Sequence, residues 1–140
     1  MSMKNDTQQR NGLQQLLKGT PLAPLTDPTR LEAYKDALAN WNFKDYIQFE
    51  LTETAYAWVT RELGNISLKE LGRLMHEYVA AGGEIDEVRE TRPEWSDYEF
   101  HYDLRFTIQD KPVYIETRLN YNMPVVLDES TILVVNIHAP

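Results

Sequence analysis

The sequence predicts an α+β domain: an N-terminal helix and an αα-hairpin packed on a three- to four-stranded antiparallel β-sheet. Three observations carry this reading. Apolar residues recur at helical spacing from Leu31 to Val79. After Gly82-Gly83 the spacing changes to strict alternation. The helical segments all precede the extended ones, so helices and strands are segregated along the chain.

Residues 1–26 read as a flexible arm, and residues 27–140 as one domain. The arm is rich in Gln and Asn and ends in Pro21-Leu-Ala-Pro24-Leu, which proline holds extended. It is the segment available for docking on a partner or for homodimerisation. The first helix starts at Asp27, a good N-cap, with Pro28 in its first turn. Leu31, Tyr34, Leu38 and Trp41 form its apolar stripe. The second helix spans Glu53–Leu63, capped by Thr52, with Ala55, Tyr56, Val59 and Leu63 near one face and Gly64 as its stop. The third opens on the capping box Ser67-Leu-Lys-Glu70 and runs to Gly82-Gly83. Leu68, Leu71, Leu74, Met75, Tyr78 and Val79 are its stripe.

Glu84–Glu90 is a short charged strand suited to a sheet edge. From Tyr98 to Gln109 apolar and polar residues alternate, with Glu99, His101, Asp103, Arg105 and Thr107 on the polar side. Asp110-Lys-Pro112 supplies the turn. Val113–Tyr121 alternates again, with Tyr114, Glu116 and Arg118 polar. A loop centred on Asp110 and Lys111 sets Arg105 opposite Glu116 and Asp103 opposite Arg118, two pairs of opposite charge. Thr131–His138 is apolar on both faces and belongs inside the sheet or under a loop.

The net charge is −8, from 14 Lys+Arg and 22 Asp+Glu. It is divided unevenly: residues 1–30 hold four basic and two acidic residues, so residues 31–140 carry −10. Such a surface repels phosphate backbones and attracts basic proteins. The chain has no cysteine, which excludes disulfides, a thiol nucleophile and cysteine-ligated metals. No apolar run approaches the ~20 residues of a membrane span, and Met1–Thr20 has no secretory leader, so a cytoplasmic protein is expected. There is no phosphate-binding glycine loop, dinucleotide fingerprint, H-E-x-x-H or G-x-S-x-G. Asp103 followed by Glu116-Thr-Arg118 approximates a D…(D/E)-x-K nuclease pattern, but Arg replaces the Lys and cannot lose its proton at working pH. The sequence therefore assigns no metal and no cofactor.

Two constellations have chemical capacity. The first is the polar side of the 98–121 hairpin. There His101, flanked by Glu99 and Asp103, is suited to acid–base work, beside Arg105, Tyr114 and Arg118. The second is the acidic stretch 84–99, in which Glu87, Glu90, Glu94 and Asp97 surround Trp95 and form a docking edge for a basic partner with an aromatic anchor.

From about Leu51 onward the order of elements resembles the RelE/MqsR-like RNA-interferase toxin fold. The resemblance rests on Ile66-Ser-Leu-Lys-Glu70, Gly82-Gly-Glu-Ile85, Tyr102-Asp-Leu-Arg-Phe106, Asp110-Lys-Pro-Val-Tyr114 and the closing Ile132–Pro140. It implies metal-independent RNA cleavage by side chains on the sheet, with His101, Arg105, Tyr114 and Arg118 as candidates by chemical type. The histidine that several relatives carry in the first helix of the pair has no counterpart in Thr54–Trp58. The leading expectation is thus an acidic binding module for a basic protein. The alternative is a ribonuclease of that type, the one case in which nucleic acid is a partner.

Overall fold

The computed structural model describes residues 23–122 and 124–140. Most of the predicted arm, residues 1–22, lies outside the described residues. Each helix begins at its predicted cap. In α1 (Pro28–Ala39) the Asp27 carboxylate accepts from the Arg30 N–H at 2.9 Å. In α2 (Glu53–Leu63) Thr52 Oγ1 accepts from the Ala55 N–H at 3.0 Å. In α3 (Leu68–Ala80) Ser67 Oγ accepts from the Glu70 N–H at 3.0 Å. These bonds satisfy donors that a helix start leaves open. Only half of the expected capping box forms, because the Glu70 carboxylate turns to Arg73. Gly64 stops α2 with φ +66°, a conformation that suits a residue without Cβ. Tyr56, expected on the apolar face of α2, is exposed; that face is Ala55, Val59 and Leu63.

Six strands follow from the backbone pairing: β1 (Ala23–Pro24), β2 (Ile47–Phe49), β3 (Asp86–Arg89), β4 (Phe100–Ile108), β5 (Lys111–Asn120) and β6 (Thr131–His138). They form one sheet in the order β1-β3-β4-β5-β6-β2. All neighbours are antiparallel except β2, which runs parallel to β6. The α+β class therefore holds, while the sheet is larger and mixed. The two additional strands have two and three residues, too few to display an alternation in sequence. The β1 strand falls within the stretch read as an arm and pairs outside β3, so β3 is not the edge. As its two apolar faces predict, β6 is interior, between β5 and β2.

All three helices lie on one face of the sheet. There α1 packs on α3 and β6, and α2 on β6. Tyr34, Leu38, Leu71, Met75, Leu104, Ile115 and Ile132 are buried in the resulting core. One polar link crosses it: Tyr34 Oη lies 2.8 Å from Thr117 Oγ1, which in turn donates to the Tyr102 carbonyl at 2.7 Å. Among the described residues, no helix is long and apolar enough to cross a membrane.

The β4–β5 register corrects the expected pairing. The turn is Gln109-Asp110, with φ of 53° and 65°, and not Asp110-Lys111. A two-residue loop with both residues in the left-handed region matches the twist of the flanking strands. Pro112 then sits near the start of β5, where proline is tolerated. Arg105 consequently faces Tyr114, and Asp103 faces Glu116. The slip is two residues, so every side chain keeps its predicted face. Further along, Glu116 pairs with Asn136 and Thr117 with Val134, which leaves Val135 as a bulge in β6.

Candidate functional site

Strand alternation places Asp86 of β3, His101, Asp103 and Arg105 of β4, and Tyr114, Glu116 and Arg118 of β5 on the sheet face opposite the helices. At its centre is Arg118, whose side chain has 0% exposure. It donates to Glu90 at 2.5 Å and lies 2.8 Å from Glu116. Arg92, from the loop after β3, bridges the same two carboxylates, at 3.0 Å from Glu90 and in direct contact with Glu116. Glu90 and Glu116 are 2% and 5% exposed. Two guanidinium groups and two carboxylates thus alternate in a neutral ring. The indole of Trp95 closes it, with the Arg118 guanidinium carbon 4.6 Å from the ring centroid. Burial alone pushes both carboxyl groups up, but Arg92 and Arg118 outweigh it and hold both below the usual carboxylate range.

The expected surface ladder between the two hairpin strands is therefore replaced by pairs that reach across to the 90–99 loop. The sequence signal for this is Glu90-Thr-Arg92-Pro93-Glu94-Trp95, where a basic residue, a proline and a tryptophan interrupt an acidic run. Pro93–Trp95 forms one turn of 3₁₀-helix that sets the indole over the ring.

Away from Trp95, Arg105 pairs with Asp86 and lies 4.9 Å from the Tyr114 ring centroid. Tyr114 packs against the His138 ring at 4.7 Å. His101 Nδ1 is 2.8 Å from Asp103 Oδ1. Burial, followed by the charges of Asp103 and Glu116, pushes the Tyr114 phenol well above its ordinary value. So His101, Arg105 and Tyr114 come together near Asp103, whereas Arg118 is sealed into the ring. Each of the three arginines on this face, Arg92, Arg105 and Arg118, is ion-paired. Asp103 and Glu116 are register partners, engaged by His101 and by the two ring arginines respectively. Among the described residues, no group of three or more His, Asp or Glu is placed to hold a metal ion.

The acidic stretch divides three ways. Glu87 turns to the helix side, where Arg30 Nε donates at 2.9 Å and the Tyr102 hydroxyl at 3.2 Å. Glu90 is inside the ring. Glu94 and Asp97 are exposed, and Trp95 between them is half-buried. Beside this loop, where β4 begins and β5 ends, is a cavity of about 380 Å³. Asp97, Tyr98, Glu99, Phe100, Asn120 and Tyr121 line it, and Arg30 closes its helix side. Sequence reading did not find this cavity, because Asn120 and Tyr121 reach it from the far end of the next strand.

Compared with family models, with curated proteins and with solved structures, the chain matches none. Its functional reading therefore rests on the geometry above: a closed ionic ring, an exposed acidic loop fixed on top of it, and an aromatic cavity at the loop's end.

Proposed function

We propose that this chain is a small acidic, cytoplasmic binding module that engages a basic protein partner through the 90–99 loop. The observation that carries the reading is the different treatment of carboxylates on one short segment. Glu90 is consumed internally, whereas Glu94 and Asp97 face solvent without an ion pair among the described residues. The loop that presents them is anchored by Trp95 over Arg118 and by the edge contact of Trp95 with Tyr98, at 6.1 Å. A preorganised acidic loop loses little conformational freedom on binding, and the −10 charge of residues 31–140 steers basic partners towards it.

The test is binding of the full chain to an immobilised arginine- and lysine-rich peptide, with a charge-neutral peptide as control. Reversing the loop with Glu94→Lys and Asp97→Lys is expected to weaken binding about tenfold or more while leaving the melting temperature near wild type. Equal binding of the basic and neutral peptides would overturn the reading.

A second reading, a metal-independent ribonuclease of the RNA-interferase type, is favoured by the His101–Asp103 contact at 2.8 Å beside Tyr114 and Arg105. It ranks lower because the guanidinium groups needed to stabilise a phosphorane already hold carboxylates. Cleavage of cellular RNA that survives EDTA and is lost in His101→Ala would place it first.

A further inference from the structure

We propose that the cavity beside the acidic loop is a receptor for one arginine side chain of the partner. The inference rests on the docking reading above and names the group that the module recognises.

The size admits a side chain: about 380 Å³ lies near the lower end of ligand pockets. The walls suit a flat cation. Tyr98, Phe100 and Tyr121 offer aromatic surfaces, whose π faces attract guanidinium. Phe100 already carries two resident guanidinium groups, with Arg30 at 5.0 Å and Arg89 at 5.1 Å from its centroid, so Tyr98 and Tyr121 are the rings offered to a guest. The rim carries negative charge. Asp97 and Glu99 are both exposed there; Glu99 lies 3.5 Å from the exposed Arg89, and the two oxygens of the Asp97 carboxylate match the fork of a guest guanidinium.

Arg30, on the helix side of the cavity, does not oppose this. Arg30 donates Nε and Nη2 to Glu87 at 2.9 and 3.2 Å, and Asp27 lies 3.6 Å from its Nη1. Its charge is balanced, which also removes it as a ready anchor for an anionic ligand. Asn120 Oδ1 accepts from the Tyr98 hydroxyl at 2.7 Å and keeps a second lone pair for a guest N–H. Lysine, a compact and strongly hydrated point charge, gains less from stacking between rings than arginine does.

The experiment is a titration of the ¹⁵N-labelled full chain with N-acetyl-arginine amide, N-acetyl-lysine amide and the neutral isostere N-acetyl-citrulline amide. The arginine probe is expected to shift the amides of 97–102 and 119–121 and to saturate in the millimolar range, with citrulline about tenfold weaker. Asp97→Asn combined with Glu99→Gln should weaken the arginine probe by about tenfold, and Tyr121→Leu should do so where Tyr121→Phe does not. Equal affinity for arginine and citrulline, equal affinity for arginine and lysine, or shifts lying outside the cavity would each overturn the proposal. The two failures are distinguishable. If the basic peptide binds and loses affinity on loop reversal, but the arginine probe leaves the cavity amides unmoved, only the receptor proposal is lost. If the arginine probe saturates the cavity while the basic peptide does not bind, the docking reading is lost, and with it the assignment of the cavity to a partner's arginine.

Discussion

The guanidinium of Arg118 lies beneath the indole of Trp95, 4.6 Å from carbon to ring centroid, and has no solvent exposure. With the Arg118–Glu90 and Arg92–Glu116 pairs, this contact joins the two constellations that look separate in the sequence. The polar face of the hairpin is the floor on which the acidic loop is mounted. In the proposed docking reading, Arg118 supports the loop that presents Glu94 and Asp97.

Replacing Arg118 should destabilise the fold. Arg118→Met leaves Glu90 and Glu116 buried with Arg92 as their remaining partner. Removing one member of a buried ionic network costs about 3–5 kcal/mol, most of it from the uncompensated charge. Adding Glu116→Gln removes one of those charges and should recover part of the loss. Urea unfolding of the two variants against wild type measures both steps, and equal stability of Arg118→Met and wild type would refute the ring's role.

Acid should open the ring. The folded-state pKa values of Glu90 and Glu116 lie below the ordinary 4.5, so the unfolded chain takes up these protons first as the pH falls. Their contribution to stability is complete above about pH 4.5 and is lost as the pH falls through the folded values. Thermal unfolding followed by Trp fluorescence from pH 7 to pH 3 should show a flat upper region and a steep loss at the acid end. In Glu116→Gln the acid loss should be shallower.

The core link between Tyr34 and Thr117 is asymmetric. Thr117 Oγ1 donates to the Tyr102 carbonyl, so the Tyr34 hydroxyl must donate to Thr117. Tyr34→Phe removes one donor and leaves the Thr117 bond intact, which costs about 1 kcal/mol. Thr117→Val strands the buried Tyr34 hydroxyl and removes a partner of the Tyr102 carbonyl, which costs about 2 kcal/mol or more. The order of the two, read from chemical denaturation midpoints at constant slope, is the prediction.

The hairpin turn carries removable strain. Asp110 occupies the second turn position with φ 65°, where glycine is preferred in this turn type. Asp110→Gly should stabilise the chain by about 0.5 kcal/mol, seen as a small rise in melting temperature. The equivalent change at Gln109 should gain less, because it also deletes the bond from its Nε2 to the Leu63 carbonyl at 3.1 Å.

Local chemistry was legible to within a residue or two. Asp27, Thr52 and Ser67 are caps because their side chains satisfy open N–H groups a few positions away, and nothing distant alters that. The faces of β4 and β5 were equally legible, since alternation is a property of the strand itself. The site was legible only in its ingredients. Alternation puts His101, Arg105 and Tyr114 on one face, and they lie there together. The sequence groups Glu87 and Glu90 with Glu94 and Asp97 as one surface, yet Arg30 draws Glu87 towards the helices and Arg118 draws Glu90 inside.

The sequence by itself determined the three helices, their boundaries, the switch to strands and the face of every hairpin residue, because caps and periodicity act over a few neighbouring positions. Only the tertiary structure decided the two short outer strands, the two-residue turn, the ring around Arg118 and the cavity at the loop's end. Apart from the turn, each of these depends on partners far apart in the chain. Ile47 on Ile132, Arg92 on Glu116 and Tyr98 on Asn120 meet only once the sheet has formed. A charged side chain chooses among such partners by burial and distance, which no local pattern encodes.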